Sequence, residues 1–323
     1  MADSPSMFGA DSRELKVTVK ERCNLTPDVV EFCLAPVDGA PLPGFTPGAH
    51  IAVQTPSGAV RQYSLVGDGE ASDHYCIAIK REAESRGGST SMIDSAEVGT
   101  PLTISEPKND FEMDENHCYL FIAAGIGITP IYSMAKRAEE EGADFRLIYL
   151  ARTPETAPYL EQLQDEFGDR VQPHFTMGEP DNRHDFWDDF ERPGQELVYC
   201  CGPKGLIEEI QDVSGHWPEG AVRFEDFKPV EVIRPDDTAF DVTLTKSGKT
   251  LTVAADQSIL EAMRDAGMAT VSSCESGTCG TCKTRLLSGD VDHRDLVLRD
   301  DEKEDYIMIC VSRAASGSLE LDL

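Results

Sequence analysis

Residues 274 to 282 read CESGTCGTC, and a further cysteine stands at position 310. Four thiols at the spacing C-x4-C-x2-C…C are compatible with a metal cage, a disulfide framework or coincidence. The rest of the chain bears on the choice. Its N-terminus, MADSPSMFGADSRELK, is acidic and polar, without the basic start and apolar core of an export signal. The longest apolar run, CYLFIAAGIGI from position 118, is far too short to cross a bilayer. These features imply a cytoplasmic protein whose thiols stay reduced. Ten cysteines in 323 residues are therefore not expected to form a disulfide scaffold.

Charge excludes two further classes. With 29 basic and 59 acidic residues the net charge is −30, a field that repels nucleic acid and anionic membranes. The acid runs along the whole chain, in DEFGD, DDFE and DDEKED among others. It reads either as a docking face for a basic partner protein or as the hydrated surface of a protein from a salt-adapted host. Its even spread favours the second.

Against zinc, paired C-x2-C sites present two knuckles of similar spacing, whereas here three cysteines crowd together and the fourth comes alone. The pattern is that of a plant-type [2Fe–2S] centre, ligated by Cys274, Cys279, Cys282 and Cys310. Gly277 and Gly280 stand between ligands, where the backbone must approach the cluster without side-chain obstruction. The other six cysteines, 23, 33, 76, 118, 200 and 201, mostly lie in apolar runs and read as buried small residues.

Three kinds of element must position this chemistry. Up to about residue 110, short alternating runs broken by Gly and Pro predict an antiparallel barrel or sandwich: LKVTVKERC, VVEFCLAP, HIAVQT, YCIAIKRE and PLTISEP. A short helix is expected after the glycines, in TSMIDSA (90–96). From about 117, apolar strands (CYLFIAAG, RLIYLA, ELVYCCG) alternate with helical stretches, the mark of a parallel-sheet α/β domain. KPVEVIRPDDT then reads as a linker, followed by a hairpin, a helix at 258–267, the cysteine loop and a closing strand, SLELDL. The expected division is a β-barrel over 1–113, an α/β domain over 114–228, a linker over 229–238 and a small α+β domain over 239–323.

Motifs in that order resemble a known family. The cysteine loop, with its strand–strand–helix lead-in, is similar to a β-grasp plant-type ferredoxin domain, and GDVDHRD (289–295) resembles a segment of ferredoxin domains fused to oxygenase reductases. In that segment His293, Arg294 and Asp295 read as structural, holding the loop near the cluster. RQYS (61–64) matches the R-x-Y-S motif of the ferredoxin–NADP⁺ reductase superfamily, and SRGGSTS (85–91) follows it as an anion site. AAGIGITP (123–130) is not a full G-x-G-x-x-G but matches the G-x-G-x-T-P form of the same superfamily. YCCGP (199–203) matches its C-G-P motif, and FEDF (224–227) resembles the segment that closes its nucleotide domain. The order of flavin, nicotinamide and C-terminal ferredoxin motifs resembles the phthalate dioxygenase reductase family, which includes the vanillate demethylase and carnitine monooxygenase reductases.

The resemblance implies the following. Tyr63 lies against the isoalloxazine, Ser64 near its N5, and Arg61, Gly88 and Ser89 near the phosphate. Gln62, Lys80 and Gly87 join them as cofactor-binding residues. Gly125, Gly127, Thr129 and Pro130 admit the pyridine nucleotide, with Thr129 near the nicotinamide. Cys201, with Gly202 and Pro203, stands beside the nicotinamide as hydride passes. Glu225 and Phe227 close the site. Ser64, Thr129 and Cys201 are the residues at the reacting atoms. Taken alone, Arg61 and Tyr63 could be an ordinary strand pair and Cys201 a buried strand-end thiol.

The flavin is expected to be FMN, with FAD open, and the reductant NADH, with NADPH open. Arg152 suits either a 2′-phosphate or stacking on adenine. The implied activity is reduction of a separate, Rieske-type oxygenase by a monomeric protein. Two alternatives are another acceptor, such as a cytochrome or hybrid-cluster protein, and a redox-responsive binding protein. The intact nicotinamide motifs count against the second.

Overall fold

The computed structural model describes residues 13–69, 73–82, 87–227, 233–234, 236–268, 270–272, 277, 280–295, 298–299 and 302–323. The chain divides into two compact units, Glu14–Phe227 and a C-terminal unit from Lys228 to Leu323. The first contains both the barrel and the α/β layer anticipated above.

Six strands make the barrel: β1 (Glu14–Asn24), β2 (Val29–Pro36), β3 (His50–Gln54), β4 (Val60–Val66), β5 (Tyr75–Lys80) and β6 (Pro101–Ser105). They close in the order β1-β2-β5-β4-β3-β6, with every neighbouring pair antiparallel. Alternation sends Phe32, Leu34, Ile51, Val53, Ile77 and Ile79 inward, and each such burial stabilises by about 1.5–3 kcal/mol. Helix α1 (Gly88–Ser95) adds Met92 and Ile93 to the same core.

The α/β layer holds β7 (Cys118–Ala124), α2 (Ile128–Glu141), β8 (Asp144–Ala151), α3 (Leu160–Phe167), β9 (Val171–Phe175), α4 (Trp187–Phe190), β10 (Leu197–Cys201), α5 (Lys204–Ser214) and β11 (Val222–Glu225). All five strands are parallel, in the order β11-β10-β7-β8-β9. The order reverses between β7 and β10. At such a switch point the loops leaving two neighbouring strands diverge and open a crevice for a ligand. Helix α2 lays Ile128, Ile131, Met134, Ala135 and Ala138 on the sheet, then stops at Gly142, whose φ of 67° only glycine adopts cheaply.

In the C-terminal unit, β12 (Phe240–Leu244), β13 (Lys249–Val253), α6 (Ile259–Asp265), β14 (Lys283–Asp292), β15 (Tyr306–Met308) and β16 (Arg313–Leu321) form a mixed sheet. Its order is β13-β12-β16-β14-β15, with β12 parallel to β16, which is the β-grasp expected. A capping box starts α6: Ser258 Oγ accepts from the Glu261 N–H, and the Glu261 carboxylate accepts from the Ser258 N–H.

Three buried groups tie the end of the linker into this unit. Arg294 is 5% exposed and grips Asp237 with Nη1 and Nη2, at 2.8 and 2.5 Å, and Asp292 with Nε and the same Nη2. Arg313, 1% exposed, donates to the carbonyls of Gln257, Thr238 and Ala254 and lies over the Phe240 ring. The Arg294 guanidinium holds the Asp237 carboxyl down at about 2. Arg234, Asp237 and Thr238, at the end of the expected linker, are thus bonded to the ferredoxin fold, while 228–232 and 235 lie outside the described residues.

The cysteine expectation needs correction. Cys33 and Cys76 are bonded to each other, because β2 and β5 pair them directly across the ladder with Cα atoms 4.1 Å apart. Residues so placed share a face of the sheet, and no run along the sequence reveals that they meet. Cys23 is exposed and Cys118 half-buried, since both occupy outward or terminal strand positions. Only Cys200 and Cys201 are buried free thiols as anticipated.

Candidate functional site

Strand β4 carries RQYS, and its pairing with β3 sorts the four side chains. Arg61 and Tyr63 stand opposite Val53 and Ile51, on the face turned to the barrel core. Gln62 and Ser64 stand opposite Ala52 and His50, on the other face. Tyr63 Oη and Ser89 Oγ lie 3.0 Å apart, which joins the strand to the first turn of α1. Burial pushes the Tyr63 phenol up to about 12, so it stays neutral. Arg61 donates to the carbonyl of Val60 at 2.7 Å and passes across Gly88, where an added Cβ would come within 2.7 Å of its Nε. Gly87 precedes the helix with φ 89°.

Ser64 is the informative residue. It is 6% exposed, and its Oγ has no hydrogen-bond partner among the described residues. A buried hydroxyl without a partner costs about 1–3 kcal/mol, a cost that a ligand removes by bonding to it.

Helix α2 brings the nucleotide motifs to the same place. Ser133 Oγ donates to the Leu65 carbonyl at 2.9 Å and accepts from the Gly67 N–H at 3.2 Å. Ser133 is one turn beyond Thr129, so the start of α2 is locked to the residue after Ser64. Thr129 is 2% exposed and its Oγ1 donates to the Ile126 carbonyl at 3.0 Å, so its proton is committed to the turn while its lone pairs remain. Pro130 falls in the first turn, where a missing N–H costs nothing. Gly125 has φ 55° and open space around its Cα. Gly127 is tighter: a Cβ there would meet the Cys201 carbonyl oxygen at 2.2 Å and the Gly202 nitrogen at 3.0 Å. The two nucleotide motifs therefore touch, backbone to backbone, at the switch point between β7 and β10.

Cys201 ends β10, fully buried. Burial first, and the Glu225 carboxylate second, push its thiol well above the ordinary value. Its Sγ makes a long contact, 4.0 Å, with Glu225 Oε2 at the end of β11. Gly202 packs on Ala124 and Leu206, and Pro203 caps α5. Phe227, 39% exposed, lies two residues beyond Glu225. Arg152 is exposed, just past β8. Lys80 pairs with Glu82 at 3.0 Å at the end of β5, so its charge is already matched. The structure thus brings Ser64, Thr129, Gly127, Cys201 and Glu225 to one region, and Arg61, Tyr63, Gly88 and Ser89 together at the start of α1.

Two residues carry no signature in the sequence motifs. Ser133 joins barrel and layer, and Tyr159 donates to Glu31 Oε1 at 2.6 Å across the same seam. A lone serine among Ile131, Tyr132 and Met134 was the available signal for the first.

Of the four predicted cluster ligands, Cys274 and Cys279 lie outside the described residues. Cys282 and Cys310 are 4% and 3% exposed, with the Cys282 thiol donating to the Cys310 sulfur at 3.0 Å. Ile307, Met308 and Ile309 surround them in the unit's core. Gly277 and Gly280 have φ of 78° and 81°, the left-handed conformation expected of a loop folded around a cluster. A pair of buried thiols in contact is a donor set that suits one iron shared between two thiolates. His293 meets the Lys303 carbonyl at 3.0 Å, and Asp295 bonds Ser312 Oγ and the Leu298 N–H, which steadies the segment before Cys310.

A flavin-type barrel, a nucleotide crevice and a ferredoxin fold in one chain define an electron-transfer oxidoreductase with a [2Fe–2S] domain. Residues 242–315 match the 2Fe-2S iron-sulfur cluster binding domain family. The chain is 46% identical to phthalate dioxygenase reductase of Burkholderia cepacia over 96% of its own length and 97% of the relative's. It is 38% identical to vanillate O-demethylase oxidoreductase of a Pseudomonas strain, over 92% and 96%. The solved phthalate dioxygenase reductase, described as a modular structure for electron transfer from pyridine nucleotides to [2Fe-2S], superposes with a TM-score of 0.85. That match has 44% identity and covers 96% of this chain and 98% of the other. The chain belongs to the phthalate dioxygenase reductase family of oxygenase reductases.

Proposed function

We propose that the protein is the NADH-dependent reductase of a two-component oxygenase, carrying electrons through FMN and a [2Fe–2S] cluster to a separate Rieske-type oxygenase. The flavin, when bound, takes the hydride and releases single electrons, which the cluster relays. The chain's part is placement. Ser64 offers its unpartnered hydroxyl to the flavin's reactive edge, and neutral Tyr63 supplies a flat face beside it. Gly127 lets the loops after β7 and β10 meet backbone to backbone, the nicotinamide enters the crevice where those strands diverge, and Arg152 receives the adenosine end. The protonated Cys201 thiol stands beside that crevice without competing as a nucleophile. Cys274, Cys279, Cys282 and Cys310 hold the cluster. FMN is favoured over FAD by the motif order, and NADH over NADPH by the resemblance to the family. The functional division keeps a barrel over 1–113, a nucleotide domain over 114–228, a linker over 229–238 and a ferredoxin over 239–323, in a monomer.

The observation that carries this reading is the buried Ser64 hydroxyl, left without a partner among the described residues beside the nucleotide crevice. An anaerobic titration with NADH tests it, following visible absorbance and electron paramagnetic resonance, with the flavin then released by heat and identified by chromatography. Flavin bleaching together with a rhombic one-electron signal is the expected result. Flavin reduction without that signal removes the cluster from the path, and an adenylated flavin in the supernatant replaces FMN with FAD.

A further inference from the structure

The ladder between β2 and β5 sets Cys33 directly opposite Cys76, and His74 lies two residues before Cys76, on the same side of the chain. One ring nitrogen of His74 and the two sulfurs all lie within 4.8 Å of one another. Ligands bound at about 2.0–2.3 Å to a single zinc ion can be no more than about 4.6 Å apart, so a small approach of the ring and a parting of the two sulfurs would let the three share one ion. While the two sulfurs are bonded to each other, neither is a thiolate and neither can take a cation.

The surroundings are those of a ligating imidazole. His74 Nδ1 lies 2.5 Å from Asp73 Oδ1, and Lys20 holds the other carboxylate oxygen at 2.8 Å. A carboxylate on one ring nitrogen is the arrangement that orients a metal-bound histidine through the other. Cys33 is 6% exposed, while Cys76 and His74 are half-buried, so a cation has an approach from one side. None of the three belongs to the flavin, nucleotide or cluster sites.

We propose that Cys33, Cys76 and His74 form a second metal site, selective for a thiophilic divalent cation such as zinc, which the disulfide closes and reduction opens. A dithiol opens it by exchange, ending as its own disulfide and leaving two thiols on the protein. A phosphine does the same by taking oxygen from water and becoming its oxide. The cation then displaces the two thiol protons and binds two thiolates and one neutral imidazole, with water completing four-coordination.

The test uses the full-length holoprotein without a polyhistidine tag, in chelator-buffered zinc, before and after treatment with a phosphine, with cluster absorbance monitored throughout. Alkylation and mass measurement count the thiols released. The reduced protein is expected to gain two alkylatable cysteines and one more equivalent of zinc than the oxidised protein, with cluster absorbance unchanged. The Cys33→Ser and Cys76→Ser variants should lack that equivalent, and His74→Gln should hold it at least tenfold more weakly. Equal zinc uptake by oxidised and reduced wild type overturns the proposal, and needs no variant to fold. So does retention of the extra equivalent in both cysteine variants, which assigns the ion to the exposed acidic surface or Cys23.

Discussion

The two units prepare their sites by different means. In the first, the cradle is built from backbone and apolar packing: Gly127 against Cys201, Gly88 under Arg61, and Ser133 clasping the Leu65 carbonyl. Within it the Ser64 hydroxyl is buried without a partner among the described residues. In the C-terminal unit the described part of the site is two thiols pressed together in the core, beside a fold locked by Asp237, Arg294 and Arg313. A flavin is held by shape and hydrogen bonds and can come and go. A cluster is held by covalent thiolate–iron bonds, and Cys282 and Cys310 are part of the hydrophobic core.

That contrast is sharpest under cysteine substitution. Cys279→Ser should abolish electron delivery to cytochrome c, by at least a hundredfold, while NADH still bleaches the flavin at its normal rate. Loss of flavin reduction in this variant contradicts the assigned electron order. Next comes Gly127→Ala, whose methyl would meet the Cys201 carbonyl oxygen at 2.2 Å and must displace one of the two nucleotide loops. A displacement of about 1 Å costs on the order of a hundredfold, so stopped-flow flavin reduction should slow by that much with the cluster spectrum unchanged.

Asp237→Ala removes the anion between two buried guanidinium groups and should destabilise the C-terminal unit by about 3 kcal/mol, read from denaturant unfolding. The same carboxyl sets an acid limit. Its folded pKa of about 2 lies below the ordinary 3.8, so it contributes about 2 kcal/mol at neutral pH. That contribution is complete above about pH 4 and lost as pH falls through about 2. In the Asp237→Ala variant the acid transition should flatten accordingly; an unchanged profile assigns the acid sensitivity elsewhere.

Ser64→Ala is predicted to leave the melting temperature within about 2 °C, since no hydrogen bond to a described residue is lost, while slowing hydride transfer about tenfold. A large fall in stability would show that the hydroxyl serves the fold. The smallest effect belongs to Arg152→Ala, a rise of a few-fold in KM for NADH at constant kcat.

Much of this was legible in the sequence because it is local. The apolar run at 29–36 coincides with strand β2, Val29–Pro36, since apolar residues fill it and five of its first six positions are buried. The motifs also announce themselves, as each is a turn whose glycines and prolines are adjacent. Strand β14 has no such signal. KTRLLSGDVD is mostly exposed and its register with β16 shifts three times, so its polar, glycine-containing sequence reads as a loop. It is a strand because β15 and β16 pair with its backbone from either side. Cys33 and Cys76, 43 residues apart, escape the sequence for a related reason: a ladder decides who faces whom, and compartment arguments do not. Nor could any pattern have revealed that Thr129 spends its proton on Ile126 or that the Ser64 oxygen has no partner among the described residues.

The elevated Cys201 thiol has a consequence for durability. A protein that delivers electrons to dioxygen chemistry works where peroxide forms, and peroxide attacks thiolates, converting them to sulfenic and then irreversible sulfinic acids. Cys201, at the end of β10, presents almost no thiolate and no surface, so it resists that damage. Cys23, exposed on β1 and outside every motif that touches a reacting atom, is where oxidative wear should register first.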